Sequence, residues 1–355
     1  MRGFCQTVIG IDYSQLKYSP LIYDMRYLED HEKCDLFKVQ ILRYSINTIK
    51  TYAKKCKDFF DFCTLKTNKI FPVNKSILST FMIYLSKSGK SFGVLKSLIS
   101  SLDFICKIFG YETVGAEFSI RNSLKFIEKV SLKITKPRKP LTIEILNQLC
   151  INVEKNGGTK NLSFVQHRTF IMIIVNYFSL MRFDCIQKVL ISDLLFMPDF
   201  IKIHVCTSKT DQTGDGQAAY VVSTSQPHDP YHLTREYLDK LISKFGPKGY
   251  FLPGLVYNRT TKSYDKISGK PICYSTALSS FKRFLSDFGI NPNQLSLHSM
   301  RIGGTTDDFR FKLNSHVLDK KGRWKNPSTK LIYCKDYDSH IVNEIKKSFK
   351  KRTFQ

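Results

Sequence analysis

The sequence predicts a mainly α-helical protein with a small antiparallel β-sheet, divided into an all-helical N-terminal domain and a larger, mostly helical second domain. Three observations lead there. Apolar residues recur at three- and four-residue spacings through most of the chain. The period changes to alternation around one Gly- and Asp-rich connection, and a Pro- and Lys-rich stretch separates two segments of domain size. At 355 residues the chain suits two domains, each able to bury a core.

Residues 1–40 show no sustained period and are read as an extension of unassigned role. From about Leu42 the pattern turns helical, and residues 41–133 form the first domain. "SINTIKTYAKKCKDFFDFCTL" sets Ile46, Ile49, Tyr52, Cys56, Phe59, Phe60 and Cys63 at helical spacings, with Lys50, Lys54, Lys55 and Lys57 on other faces. "NKSILSTFMIYLSKSG" fits a second helix with Asn74 or Ser76 as N-cap and Gly89 as its stop. "SFGVLKSLISSLDFICKIFGY" and "IRNSLKFIEKVSLKI" complete a basic helical domain. "KITKPRKPLT" is a linker by composition, centred on residues 134–141.

The second domain is expected over 142–337. Thr142 opens the helix "TIEILNQLCINVEKN", which a Gly-Gly pair closes, and "FVQHRTFIMIIVNYFSLM" is apolar nearly all round, as a buried central helix must be. "FIKIHVCTSKTDQTGDGQAAYVV" alternates on both sides of its turn and predicts a hairpin. Helices resume through "STALSSFKRFLSDFG" and "HSMRIGGTTDDFRF". Residues 338–355 form a basic C-terminal segment whose run "IKKSFKKRTFQ" reads as a nuclear address, a phosphate contact or a solvated tail.

Charge narrows the function. Fifty-five Lys and Arg against 30 Asp and Glu leave a formal +25, an excess that steers polyanions to the surface and points to nucleic acid. Ten cysteines lie scattered without C-x-x-C or zinc-type spacing, so no disulfide framework, structural metal or cofactor is expected and the compartment reads as reducing. "MRGFCQTVIG" lacks a signal-peptide core and "FIMIIVNYF" is too short to span a bilayer, so no membrane is expected, and the setting is nuclear or otherwise intracellular.

His298 and Arg301 stand one turn apart on a predicted helix, so both project from one face. Gly303-Gly304 follow at once, a local cost of roughly 1 kcal/mol each that implies close backbone packing. Downstream lie "GRWKN", with the only tryptophan, and "LIYCKDY". This order of features resembles the tyrosine recombinase, or phage-integrase-like, superfamily. "HSMRIGGTT" followed by "GRWKN…Y" is similar, more narrowly, to the recombinases of DIRS-type retrotransposons and Crypton elements. The resemblance spans most of the chain, as helical pattern in its N-terminal half and as specific residues in its C-terminal half.

The resemblance implies a helical, SAM-like core-binding domain joined to a catalytic domain that clamps duplex DNA. It makes Arg182 in "SLMRFDCIQKVLISDL" the first catalytic arginine and Lys209 in "TSKTDQTGDG" the hairpin lysine. His298 and Arg301 become the His-x-x-Arg pair, Trp324 fills the His-or-Trp position and Tyr333 is the nucleophile. It also implies a homo-oligomer on DNA, four protomers in the synaptic complex, with the segment after Tyr333 docking on a neighbour. The alternatives within the chain are Lys202 for Lys209 and Tyr337 for Tyr333.

The chemistry asks for such a set. A phosphodiester under attack gathers charge on its non-bridging oxygens, which two guanidiniums grip with paired hydrogen bonds. A tyrosine hydroxyl, of ordinary pKa about 10, needs a proton acceptor, for which His298 is the candidate. Lys209 would protonate the leaving 5′ oxygen, and Trp324 offers one N–H while its ring packs the site. No step requires a metal.

The sequence departs from the family where Leu180 and Met181 replace a glycine-containing turn, and where Cys185 stands for a carboxylate, with Asp184 one place early. Arg182 has the alternative role of capping the preceding helix. Asp211 and Asp215 lack the ligand count of a calcium loop and read as a tight turn. His228 and His232 flank Pro230 and read as loop residues opening "YHLTREYLDKLISKFG". Rival functions are a type IB topoisomerase-like enzyme and a catalytically inactive, domesticated DNA-binding protein.

Overall fold

A computed structural model of the chain describes residues 19–42, 44, 46–67, 69–130, 138–205, 217–224 and 227–333. The chain splits into two compact units, Met1–Thr135 and Lys136–Gln355.

The described part of the first unit is helical throughout: α1 (Pro20–Asp24), a 3-10 turn, α2 (Asp30–Leu42), α3 (Ile46–Thr67), α4 (Lys75–Lys87), α5 (Phe92–Ile108) and α6 (Phe118–Val130). The stripe on α3 is buried at Ile49, Cys56, Phe59, Phe60 and Cys63, where it meets Phe81, Leu95 and Leu102. Asn74, rather than Ser76, caps α4, its side chain accepting from the backbone N–H groups of Ser76 and Ile77 at 3.0 and 3.1 Å. Gly89 takes φ 78 just past the helix end, where a side chain would be strained. The sequence reading misses α1 and α2 within residues 1–40. On α2, Leu36 and Val39 are exposed.

In the second unit Thr142 precedes α7 (Ile143–Lys155), and Gly157 and Gly158 end it at positive φ. A capping box between Ser163 and Gln166 starts α8 (Phe164–Ser179), whose residues from His167 to Tyr177 are all buried. At roughly 1.5–3 kcal/mol for each fully buried large apolar side chain, burial rather than propensity holds this helix in place.

After the short α9 (Phe183–Ile186), strands β1 (Leu194–Phe196), β2 (Phe200–Val205) and β3 (Gln217–Val222) form an antiparallel sheet in the order β1-β2-β3. Ile201, Ile203, Val205, Ala219 and Val221 turn one face into the core. Asp229 then caps α10 (Pro230–Phe245), with Pro230 at the first helical position. His228 precedes the helix at φ 64, while His232 lies inside it.

A second antiparallel pair, β4 (Pro253–Asn258) and β5 (Ser263–Pro271), corrects the expectation of a single sheet. The pair carries register shifts, and its lysines interrupt the alternation that would have announced it. The unit continues through α11 (Tyr274–Asp287), α12 (Ser299–Arg310), α13 (Ser315–Gly322) and a 3-10 turn, Pro327–Ile332. The Gly303-Gly304 pair on α12 packs backbone to backbone: a Cβ on Gly303 would strike the Leu141 carbonyl, and one on Gly304 the Tyr177 carbonyl at the end of α8.

Candidate active site

The C-terminal end of α8 is the foundation of the site. Leu180, wholly buried, ends the helix at φ 51 and ψ 30, a left-handed turn that costs a non-glycine residue roughly 1–2 kcal/mol. The last carbonyls of a helix have no intrahelical donor and form its negative pole. Two guanidiniums from later in the chain supply donors. Arg301 Nη1 and Arg323 Nη2 both donate to the Leu180 carbonyl, the latter at 3.1 Å, and Arg323 Nη1 donates to the Ser179 carbonyl at 3.2 Å. The helix is therefore capped by Arg301 and Arg323. Arg182 lies just beyond, as N-cap of α9, and its side chain has no hydrogen-bonded partner among the described residues.

His298 sits immediately before α12, as its N-cap with helical φ and ψ, rather than inside the helix as expected. Arg301, in the first turn, is 1 % exposed, and its Nη2 donates to the Gly322 carbonyl at 2.7 Å. Its guanidinium lies 4.8 Å from the Trp324 ring centroid and 5.3 Å from that of Tyr333, within range of cation–π attraction. The Tyr333 ring stands 5.3 Å from the His298 ring and 5.7 Å from the Trp324 ring. Trp324 folds back over Gly322 so closely that a Cβ there would collide with the indole. Thr306 Oγ1 donates to the Tyr333 carbonyl at 2.9 Å.

Two buried donors, Arg301 Nε and Trp324 Nε1, have no hydrogen-bond partner among the described residues. Unmet donors in a buried site carry a desolvation cost that an anion would relieve. The charge balance agrees: no carboxylate pairs with Arg182, Arg301 or Arg323 among the described residues. Burial, then Arg182 and Arg323, pull the Arg301 guanidinium below its ordinary value, though it remains a cation near neutrality. His298 is pulled down to about 4 by burial and then by Arg301, Arg182 and Arg138, so its imidazole is neutral and able to accept a proton at pH 7. Cys185, where the resemblance expects a carboxylate, is buried and close enough to act on Arg301 and Arg323, whereas Asp184 is exposed.

Of the residues singled out in the sequence, the structure brings Arg182, His298, Arg301, Trp324 and Tyr333 to one place. Tyr333 ends a 3-10 turn rather than lying on an α-helical face. Lys209, Tyr337, Asp211 and Asp215 lie outside the described residues. Lys202 is exposed on β2, opposite Tyr220. Sequence reasoning missed Arg323, Thr306 and Arg138, whose Nη1 donates to Ser296 Oγ at 3.2 Å beside the His298 loop. The first signal was the arginine inside "GRW", and the third lay within residues read only as linker.

The architecture matches solved structures. The Tn1549 transposon integrase in complex with transposon right end DNA superposes with a TM-score of 0.58 at 15 % identity, over 88 % of this chain and 98 % of that one. A lambda integrase dimer bound to a COC′ core site gives 0.55 at 15 % identity, over 94 % and 85 %. The XerH site-specific recombinase bound to palindromic difH substrate gives 0.53 at 16 % identity, over 86 % and 80 %. The chain has the tyrosine-recombinase fold. A recombinase-fold relative in sequence is the integrase/recombinase xerD homolog of Selenomonas ruminantium, 21 % identical over 313 residues, 86 % of each chain. No protein-family model matches the chain. Among the described residues no helix is long and apolar enough to cross a membrane.

Proposed function

We propose that the chain is a site-specific DNA recombinase or integrase that cuts and rejoins duplex DNA through a 3′-phosphotyrosyl intermediate, in the service of a mobile element. The observation that carries this reading is the convergence of Arg182, Arg301, neutral His298 and the Trp324 and Tyr333 rings around buried donors that lack partners. An anion with several acceptor oxygens matches those donors, and a phosphodiester is such an anion. The wording "HSMRIGGTT…GRWKN" supports the narrower likeness to DIRS-type and Crypton recombinases.

In this reaction the Tyr333 oxygen attacks phosphorus, its proton passing to His298. The bond from phosphorus to the 5′ oxygen breaks as the tyrosyl–phosphorus bond forms, and Lys209 protonates the departing oxygen. Arg182, Arg301 and the indole N–H stabilise the charge on the non-bridging oxygens. The ester is conserved, so a second strand's 5′ hydroxyl can reverse the step without ATP. Duplex DNA is the proposed partner, held by lysines and arginines of the N-terminal helices, and copies assemble on it as a tetramer.

The test is covalent capture. Protein is incubated with a pool of random-sequence nicked duplexes and run on a denaturing gel. A DNA adduct is expected with the native chain and with Tyr337→Phe, and none with Tyr333→Phe. Absence of adduct from the native chain would leave a DNA-binding protein without catalysis.

A further inference from the structure

We infer that Arg323 is a positioning residue of the proposed cleavage site, fastening the turn that presents Arg182 to the segment that presents Trp324. This rests on the recombinase reading and assigns that reaction one more residue.

The backbone supplies the first argument. Arg323 ends α13 at φ 54 and ψ 45, a left-handed position at which glycine is favoured. Arginine is strained there, and its side chain must offset the cost. The side chain is 9 % exposed and makes three hydrogen bonds, all to backbone carbonyls: Nη1 to Ser179 at 3.2 Å and to Lys321 at 3.0 Å, and Nη2 to Leu180 at 3.1 Å. One planar group thus ties residues 179–180 to residue 321, more than a hundred positions apart. The flanking residues on both sides belong to the site, since Arg182 follows Leu180 by two positions and Trp324 follows Arg323 directly.

The second argument is electrostatic. Arg323 and Arg301 donate to the same oxygen, that of Leu180. Two guanidiniums on one carbonyl repel each other, and burial sharpens the repulsion. A merely structural cap for α8 would need only one of them. The pair makes sense where Arg301 must stay fixed while its remaining donors face an incoming anion, with Arg323 sharing the work of holding the carbonyl. The rigid fork of arginine reaches several acceptors in one plane, whereas a lysine ammonium is a point donor on a flexible stem.

The test compares Arg323→Gly and Arg323→Lys with the native chain on a duplex recovered by covalent capture. Arg323→Gly relaxes the backbone and removes the whole side chain, buried stem as well as guanidinium. Single-turnover adduct formation at saturating DNA is expected to fall about a hundredfold, the scale of a small misplacement of reacting groups, with DNA affinity unchanged. Millimolar guanidinium added to Arg323→Gly is expected to restore part of the rate, a recovery that a general loss of packing would not show. Arg323→Lys, which covers the case in which the glycine variant fails to fold, is expected to be slowed in the same direction. Adduct formation at the native rate in either folded variant, or slowing that disappears at higher DNA concentration, overturns the inference. Failure of the native chain to form any adduct instead overturns the recombinase reading on which it rests.

Discussion

The hydroxyl of Thr306, shared with the Ile302 carbonyl at 2.8 Å, reaches the backbone carbonyl of Tyr333 at 2.9 Å and links the candidate nucleophile to the helix that carries Arg301. Thr306 is 1 % exposed, and no water can readily replace its hydroxyl. Thr306→Val keeps the shape and removes the donor, at a cost of about 1 kcal/mol in stability. Adduct formation is expected to slow by about tenfold, measured in single turnover beside a thermal melt. A variant as fast as the native chain would show that Tyr333 is held by other means.

Trp324→Phe separates the indole's two contributions. The ring surface over Arg301 is largely kept, while the unpartnered Nε1–H is lost. Removing one donor to a developing oxyanion slows comparable reactions by about a hundredfold or more. The same order of loss in adduct formation is expected here, with little change in melting temperature. A large fall in melting temperature with an unchanged rate would make the tryptophan a packing residue alone.

The depressed His298 has a definite pH signature. Its folded value of about 4 lies below the ordinary 6.5, so between these values the unfolded chain binds the extra proton. Stability from this group is therefore full above about pH 6.5 and lost as pH falls toward 4. The neutral ring is available as proton acceptor from about pH 5 to 8, and the adduct rate is expected to show no inflection from it near 6.5. Imidazole resonances followed by NMR in the DNA-free protein test this directly, and a midpoint near 6.5 contradicts it.

The glycine pair on α12 offers a stability test of the packing beneath the site. Gly304→Ala would press a methyl against the Tyr177 carbonyl and the Leu180 side chain. Overpacking of this kind costs about 1–3 kcal/mol, read as a lower denaturation midpoint. Gly303→Ala is expected to cost no less, because a methyl there would approach the Leu141 carbonyl more closely still and all its nearest neighbours are backbone. A neutral result at both positions would mean that α12 shifts freely against the Leu141 backbone and the end of α8.

Much of this was legible in the sequence wherever one residue's physics settles the matter. The apolar run of α8, a cap at Asn74 or Ser76 and the close packing forecast by Gly303-Gly304 follow from side-chain size and hydrogen-bonding capacity. The hidden features depend on partners distant in the chain. Nothing near Arg323 reveals that its guanidinium reaches Ser179, and nothing near Leu180 reveals that it adopts the turn a glycine would mark. The β4–β5 pair escaped because a basic, irregular hairpin lacks the alternation of a half-buried strand.

The buried arginines lean on the carbonyls of Ser179, Leu180 and Gly322, which are neutral dipoles. Among the described residues, a phosphate arriving on the proposed reading would find no carboxylate to evict. If the chain binds DNA as proposed, the described arginines would meet it already charged, with no prior exchange of ion-pair partners among the described residues. Added salt should accordingly weaken the grip on the duplex as a whole, while the chemistry of a duplex already bound stays nearly indifferent to it.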